Sequence, residues 1–108
     1  MLQKQFWEGF TNIERLDAIN KIQNIISNNA GCIINFNRFS DLALSLMLEV
    51  EPDKVIALYE ALNNYMTVTG LPEGYENEKT LRDITIFFNI TFGKGKGDLS
   101  IEVPQVPG

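Results

Sequence analysis

The stretch that decides the fold is Leu42-Ala43-Leu44-Ser45-Leu46-Met47-Leu48-Glu49-Val50. Large aliphatic side chains occupy every second position, and Ala, Ser, Met and Glu lie between them. Successive side chains of a strand point to opposite faces of a sheet, so this alternation is typical of a strand with one buried face. In a helix the same leucines would scatter around the whole circumference. We therefore predict an extended strand over 42–50.

The same period of two appears before and after this stretch. Residues 32–39 alternate and are separated from it by a short turn at 40–41, which predicts an antiparallel hairpin. Residues 84–92 carry an aliphatic or phenylalanine side chain at every even position and predict a long third strand. After a glycine-rich turn, Leu99, Ile101 and Val103 indicate a fourth strand.

Two segments show helical periodicity instead. Residues 12–29 carry an apolar stripe spaced by three or four residues, and Thr11 and Glu14 have the spacing of a capping box. A second stripe covers 55–66 and follows Pro52, a residue suited to the first turn of a helix. We expect residues 67–70 to end this helix and 71–79 to form a solvated loop.

Together these elements predict an α+β fold built as a two-layer, ferredoxin-like α/β plait. The element order is αββαββ, a permutation of the common βαββαβ order, with two helices on one face of a four-stranded antiparallel sheet. The fourth strand, paired with the third, would fill the central position. Residues 4–10 could supply a short first strand, but the spacing of Leu2, Phe6, Phe10 and Ile13 favours a helical extension. One domain over 1–104 and a loose tail over 105–108 are expected.

From about residue 16 to residue 62 the chain resembles ACT-type regulatory domains of the ferredoxin-like superfamily. The similar segments are the helix ending in Asn29-Ala30-Gly31, the strand Cys32-Ile33-Ile34-Asn35-Phe36, the stretch 42–50 and the helix opening Pro52-Asp53-Lys54-Val55. The resemblance covers less than half of the chain and implies a small effector-sensing or oligomerising domain. The ligand site of that family usually involves the turn between the first strand and the first helix. Because no first strand is identified here, no binding residue is carried over.

The composition argues against several classes of function. The chain has 108 residues, nine Lys and Arg against 14 Asp and Glu, and a formal net charge of -5. This charge disfavours binding to nucleic acids and anionic membranes. There is no histidine and one cysteine, Cys32, which argues against most hydrolases and against cysteine-based metal sites. We predict no cofactor and no bound metal. No signal peptide or membrane span is recognisable, so a cytoplasmic protein is expected.

The candidate site is the sheet face that the helices leave uncovered. Small polar groups and apolar side chains mix on it, a composition that often marks an interface. We therefore predict a homodimer formed through this face, with a small-molecule effector as a further ligand. The predicted interface or ligand residues are Ile33, Asn35, Ser45, Met47, Thr85, Phe87 and Asn89.

Two other function classes compete with a non-catalytic binding or regulatory domain. One is a small enzyme of the dimeric α/β-barrel type with a pocket between sheet and helices. It is disfavoured because the sequence offers no histidine and no evident buried carboxylate pair. The other is an RNA-binding sheet, which is disfavoured by the charge and by Phe87 being the one clear stacking aromatic on the exposed face. The glycine-rich segment 93–97 is interpreted as a hairpin turn rather than a phosphate loop, and Cys32 as a packing residue.

Overall fold

A computed structural model describes residues 4–75 and 83–93 of the chain. It contains two helices and five strands in one sheet, with the spatial order β2-β3-β5-β1-β4. The helices are α1 (Arg15–Asn28) and α2 (Val55–Tyr65), the second preceded by a short 3-10 turn at Pro52–Lys54. The strands are β1 (Lys4–Thr11), β2 (Gly31–Ser40), β3 (Ala43–Val50), β4 (Thr67–Thr69) and β5 (Ile84–Phe92).

The sheet is mixed because one of its pairings is parallel. β1 runs parallel to β5, whereas the pairs β1–β4, β2–β3 and β3–β5 are antiparallel. It follows that β1 and β2 point the same way and are joined through α1, and that β3 and β4 point the same way and are joined through α2. The two βαβ units interleave in the sheet, and β5 is the middle strand, between β1 and β2 of one unit and between β3 and β4 of the other.

Both helices pack on the same face of the sheet. Alternate residues of β1, β3 and β5 are buried, and they form a single core with the inner sides of α1 and α2. The largest side chains of this core are fully buried: Trp7, Phe88, Phe92, Ile22, Ile26, Leu44, Leu46, Leu48, Leu58, Leu62, Ile84 and Ile86. The alternating leucines of β3 therefore face the helices, as their period predicts.

The predicted four-stranded antiparallel sheet with the order αββαββ is wrong. Within the described residues the sheet has five strands, and Lys4–Thr11 is a strand, not a helical extension. Residues Lys4–Thr11 pair along their whole length with β5 and, at Glu8–Phe10, with β4. The spacing of the apolar residues here suggested a helix because large apolar side chains of β1 lie on both of its faces: Trp7 points into the core, while Phe6 and Phe10 are exposed.

Two local features explain how this strand fits into the core. Gln5 is buried, and its Oε1 accepts a hydrogen bond of 2.9 Å from the indole Nε1 of Trp7, so a polar residue is satisfied inside the apolar layer. At Gly9 an added Cβ would lie 2.7 Å from Cε of Met66 and 2.8 Å from Cε1 of Phe88. Glycine thus lets Met66, the residue after α2, and Phe88 of β5 pack directly against the backbone of β1.

Other element boundaries also differ from the prediction. α1 begins at Arg15 rather than at residue 12, because Thr11 ends β1 and Glu14 is the N-cap, accepting a bond from the Asp17 amide. The short strand β4 occupies residues predicted to end the second helix. The predicted fourth strand at 99–103 and the predicted tail at 105–108 lie outside the described residues. The central place beside β5 that the fourth strand was expected to fill is occupied by β1.

Candidate functional site

The face of the sheet opposite the helices is open in the described residues, and the strand register arranges its side chains in four rows. We name each row by its chemistry and give its members in the sheet order β2, β3, β5, β1, β4. The charged row contains Cys32, Glu49, Thr85 and Lys4. The apolar row contains Asn35, Met47, Phe87 and Phe6. The polar row contains Asn37, Ser45, Asn89, Glu8 and Thr69. The end row contains Ser40, Ala43, Thr91, Phe10 and Thr67.

The apolar row exposes large apolar side chains to solvent, which is energetically unfavourable. The rings of Phe6 and Phe87 stack with centroids 5.2 Å apart and planes 15° apart, and Phe6 is 65% exposed. Met47 is half-buried and lies directly across from Phe87 in the register. Phe10, two residues along β1 from the polar row, is 43% exposed. Three phenylalanines and a methionine on one solvent-facing surface form the kind of patch that marks a contact site.

The polar row crosses the centre of the same face as a hydrogen-bonded line. Ser45 Oγ donates to Asn89 Oδ1 over 2.7 Å, and Asn89 Nδ2 donates to Glu8 Oε2 over 3.4 Å. These bonds link three neighbouring strands and fix the orientation of the Asn89 amide. The row therefore offers ordered donors and acceptors next to an apolar surface, an arrangement suited to orienting a bound group.

Six of the seven predicted site residues share this face: Asn35, Ser45, Met47, Thr85, Phe87 and Asn89. Ile33 is the exception, because it pairs with the buried Leu48 and packs against the core. The register of β2 shifts between Ile33 and Asn35. The extra residue of this bulge reverses the alternation, so that Ile33 faces the core whereas Asn35 faces the open side. A strict period of two cannot reveal such a bulge in advance.

Sequence reasoning missed the contribution of β1 to the site. Lys4, Phe6, Glu8 and Phe10 all point to the open face, and they include its most exposed aromatic rings. Exposed and buried positions alternate along β1, and the corresponding sequence is Phe6-Trp7-Glu8-Gly9-Phe10. Its signal was masked because the buried positions include Gln5 and Gly9, which are not apolar.

Among the described residues, the helix layer contains two open clefts that differ in their titratable groups. One, with a volume of about 420 Å³, lies between the β1–α1 turn and the end of α2, and its lining contains asparagine and threonine side chains but no carboxylate. The other, of about 570 Å³, is lined on α2 and has Glu60 as its single carboxylate. Tyr65 also lines the first cleft, and burial and then the charge of Asp17 raise its pKa above the usual value of 10.0.

Within residues 4–75 and 83–93, no three His, Cys, Asp or Glu side chains gather into a group that could hold a metal ion. In the same part of the chain, neither helix is long and apolar enough to span a membrane. The resemblance to ACT-type domains stays a prediction. Comparison of this chain with protein-family models, with curated proteins and with solved structures finds no match.

Proposed function

We propose that this chain is a non-catalytic binding domain that self-associates through the open face of its sheet. The observation that carries this function is the stacked pair of Phe6 and Phe87, which lies beside Met47 and leaves Phe6 65% exposed. Burying such a stack removes apolar area from water at about 25 cal/mol per Å². Aromatic and methionine side chains are also enriched at the centres of protein interfaces.

The size of the face is consistent with a weak to moderate dimer. The five strands contain 38 residues in total, and at about 3.3 Å per residue and about 4.8 Å between strands they cover roughly 600 Å². Two such faces pressed together would bury about 1,200 Å² in total, the lower end of the range for stable interfaces. We therefore expect a reversible dimer whose formation depends on concentration.

The polar row gives the same face a second capacity. Between two apposed sheets, Ser45, Asn89 and Glu8 would form a line of donors and acceptors shielded from water by the apolar row. Hydrogen bonds are stronger in such a desolvated setting. A small polar effector held there would contact both copies and would stabilise the dimer by mass action.

Sedimentation equilibrium of the wild-type chain and of Phe6→Ser tests self-association. Phe6 is exposed, so its replacement leaves the core intact while removing one ring of the stack. We expect a concentration-dependent dimer for the wild type and a monomer for Phe6→Ser over the same concentration range. The matched control is Leu16→Ser, which removes a 57% exposed apolar side chain from α1 in the helix layer and should leave the dimer unchanged.

Two results would contradict this function. One is a wild-type chain that stays monomeric into the high micromolar range. The other is a Phe6→Ser variant that folds, by circular dichroism, and still dimerises like the wild type.

A further inference from the structure

We infer that the partner on the open face is a second copy of this chain, related by a two-fold axis that runs along β5. This arrangement rests on the proposed function and adds to it the residues that meet across the interface. It follows from the strand order and from which side chains occupy each row.

The sheet order supplies the symmetry. β5 is the third of five strands, so rotation about an axis along it lays β1 of one copy over β3 of the other and β4 over the partner's β2. An axis in this direction also keeps each row opposite the same row of the partner. Face-packed sheets align their strands to within about 30°, so long side chains near the axis can reach their counterparts.

The side chains of β1 and β3 complement each other when they are paired in this way. In the charged row, Lys4 comes opposite the partner's Glu49, and two-fold symmetry makes this contact twice. In the end row the large ring of Phe10 faces the partner's Ala43, whose small side chain leaves room for it. Opposite charges and large-to-small contacts are what a self-complementary interface requires.

The other two rows agree with the same axis. In the apolar row, Phe6 comes opposite the partner's Met47, and Phe87 lies on the axis and meets its own copy. Sulfur–aromatic and aromatic–aromatic contacts are both favourable. In the polar row, Glu8 comes opposite the partner's Ser45, whose hydroxyl can donate to Glu8 only in place of its bond to Asn89 Oδ1.

The perpendicular two-fold axis, across the strands, gives a poor match. It would set the charged row against the end row, so that Lys4 lies opposite the partner's Phe10 and Glu49 opposite the partner's Ala43. It would also place Phe6 against the carboxylate of the partner's Glu8. Charges desolvated against apolar groups without partners are unfavourable. The axis along β5 is therefore the one that the side chains select.

A charge exchange between two variants tests the axis. Lys4→Glu alone places two pairs of carboxylates across the interface, and Glu49→Lys alone places two pairs of ammonium groups there. Each homodimer should weaken at least about tenfold, because like charges repel when they are held together. When the two variants are mixed, both contacts become Glu–Lys pairs, so the mixture should dimerise with an affinity close to that of the wild type. The double variant Lys4→Glu/Glu49→Lys should also regain wild-type affinity on its own.

Lys21→Glu and Glu60→Lys provide the matched control, since both residues are exposed on the helix layer and change the net charge by the same amounts. These variants should dimerise like the wild type, alone or mixed. If Phe6→Ser abolishes the dimer but mixing the two sheet-face variants restores nothing, the axis is overturned and the proposed function stands. If the wild-type chain is a monomer, the proposed function fails, and the axis fails with it.

Discussion

Gly70 joins β4 to the chain that follows, and its backbone admits no side chain. Its φ of 121° lies in a region that residues with a Cβ avoid, and an added Cβ would overlap the carbonyl oxygen of Phe6 and lie 2.8 Å from the Cα of Trp7. Both neighbours belong to the backbone of β1 and cannot rotate away. Gly70 therefore keeps β1 and the segment after β4 in close contact.

We expect Gly70→Ala to lower the free energy of unfolding by at least about 2 kcal/mol, because backbone strain and steric overlap act together. Gly74→Ala is the matched control: its φ is also positive, at 74°, but nothing lies within 4 Å of the added Cβ. This control should lose only about 1 kcal/mol. Urea unfolding at a concentration low enough to keep the chain monomeric measures both. Equal losses would show that the contact with Phe6 has no energetic weight.

At the scale of single elements, β4 depends on side chains from α2. The Val68 amide donates to Asn63 Oδ1 over 3.0 Å, and the Val68 carbonyl accepts from Tyr59 Oη over 2.9 Å. These bonds satisfy backbone groups that β1 does not reach, and they cover the outer edge of a three-residue strand. Edge strands protected in this way do not offer free backbone groups to other chains.

Asn63→Ala should destabilise β4 more than it destabilises the protein as a whole. Loss of the acceptor leaves the Val68 amide unpaired, at a cost of about 1 kcal/mol, and its hydrogen exchange should accelerate. Asn64→Ala changes the neighbouring exposed asparagine and should leave that exchange rate unaltered. If the Val68 amide exchanges at the same rate in Asn63→Ala as in the wild type, the prediction is contradicted, because pairing with β1 would then be sufficient to keep β4 closed.

The elements that the sequence predicted correctly are those whose two faces differ in polarity. β3 and β5 place aliphatic or phenylalanine residues on the helix side at every second position, so their period was visible. The period of two in β1 is not visible in the sequence, because Gln5 and Gly9 face the core while Phe6 and Phe10 face solvent. β4, with three residues, is too short to show any period.

At the scale of the whole molecule, the order of the strands was the least predictable property. Periodicity reports which face of a strand is buried but not which strand lies beside it. The parallel pairing of β1 with β5 joins the two ends of the described chain, and no local turn residue signals such a contact. Six of the seven predicted site residues still fall on the open face, because each face follows from alternation alone; Ile33 departs through the bulge in β2.

The strand order also determines which side chains meet on the open face. Placing β1 beside β5 brings Phe6 onto Phe87 and puts Lys4 and Glu49 at equal distances on either side of the middle strand. A sheet with the predicted order would have carried neither the aromatic stack nor the charge pair. The proposed docking surface thus depends on β1.

Methyl NMR of the methionines over a dilution series tests most directly whether the open face is the contact surface. Met47 lies in the apolar row beside Phe87, whereas Met66 is buried in the core, and Met47→Leu assigns the signal. Ring currents of apposed phenylalanines should shift the Met47 methyl resonance as the concentration rises, with the midpoint found by sedimentation. The Met66 resonance should stay constant. A Met47 signal that does not move while the chain dimerises would contradict the account, because it would place the interface elsewhere.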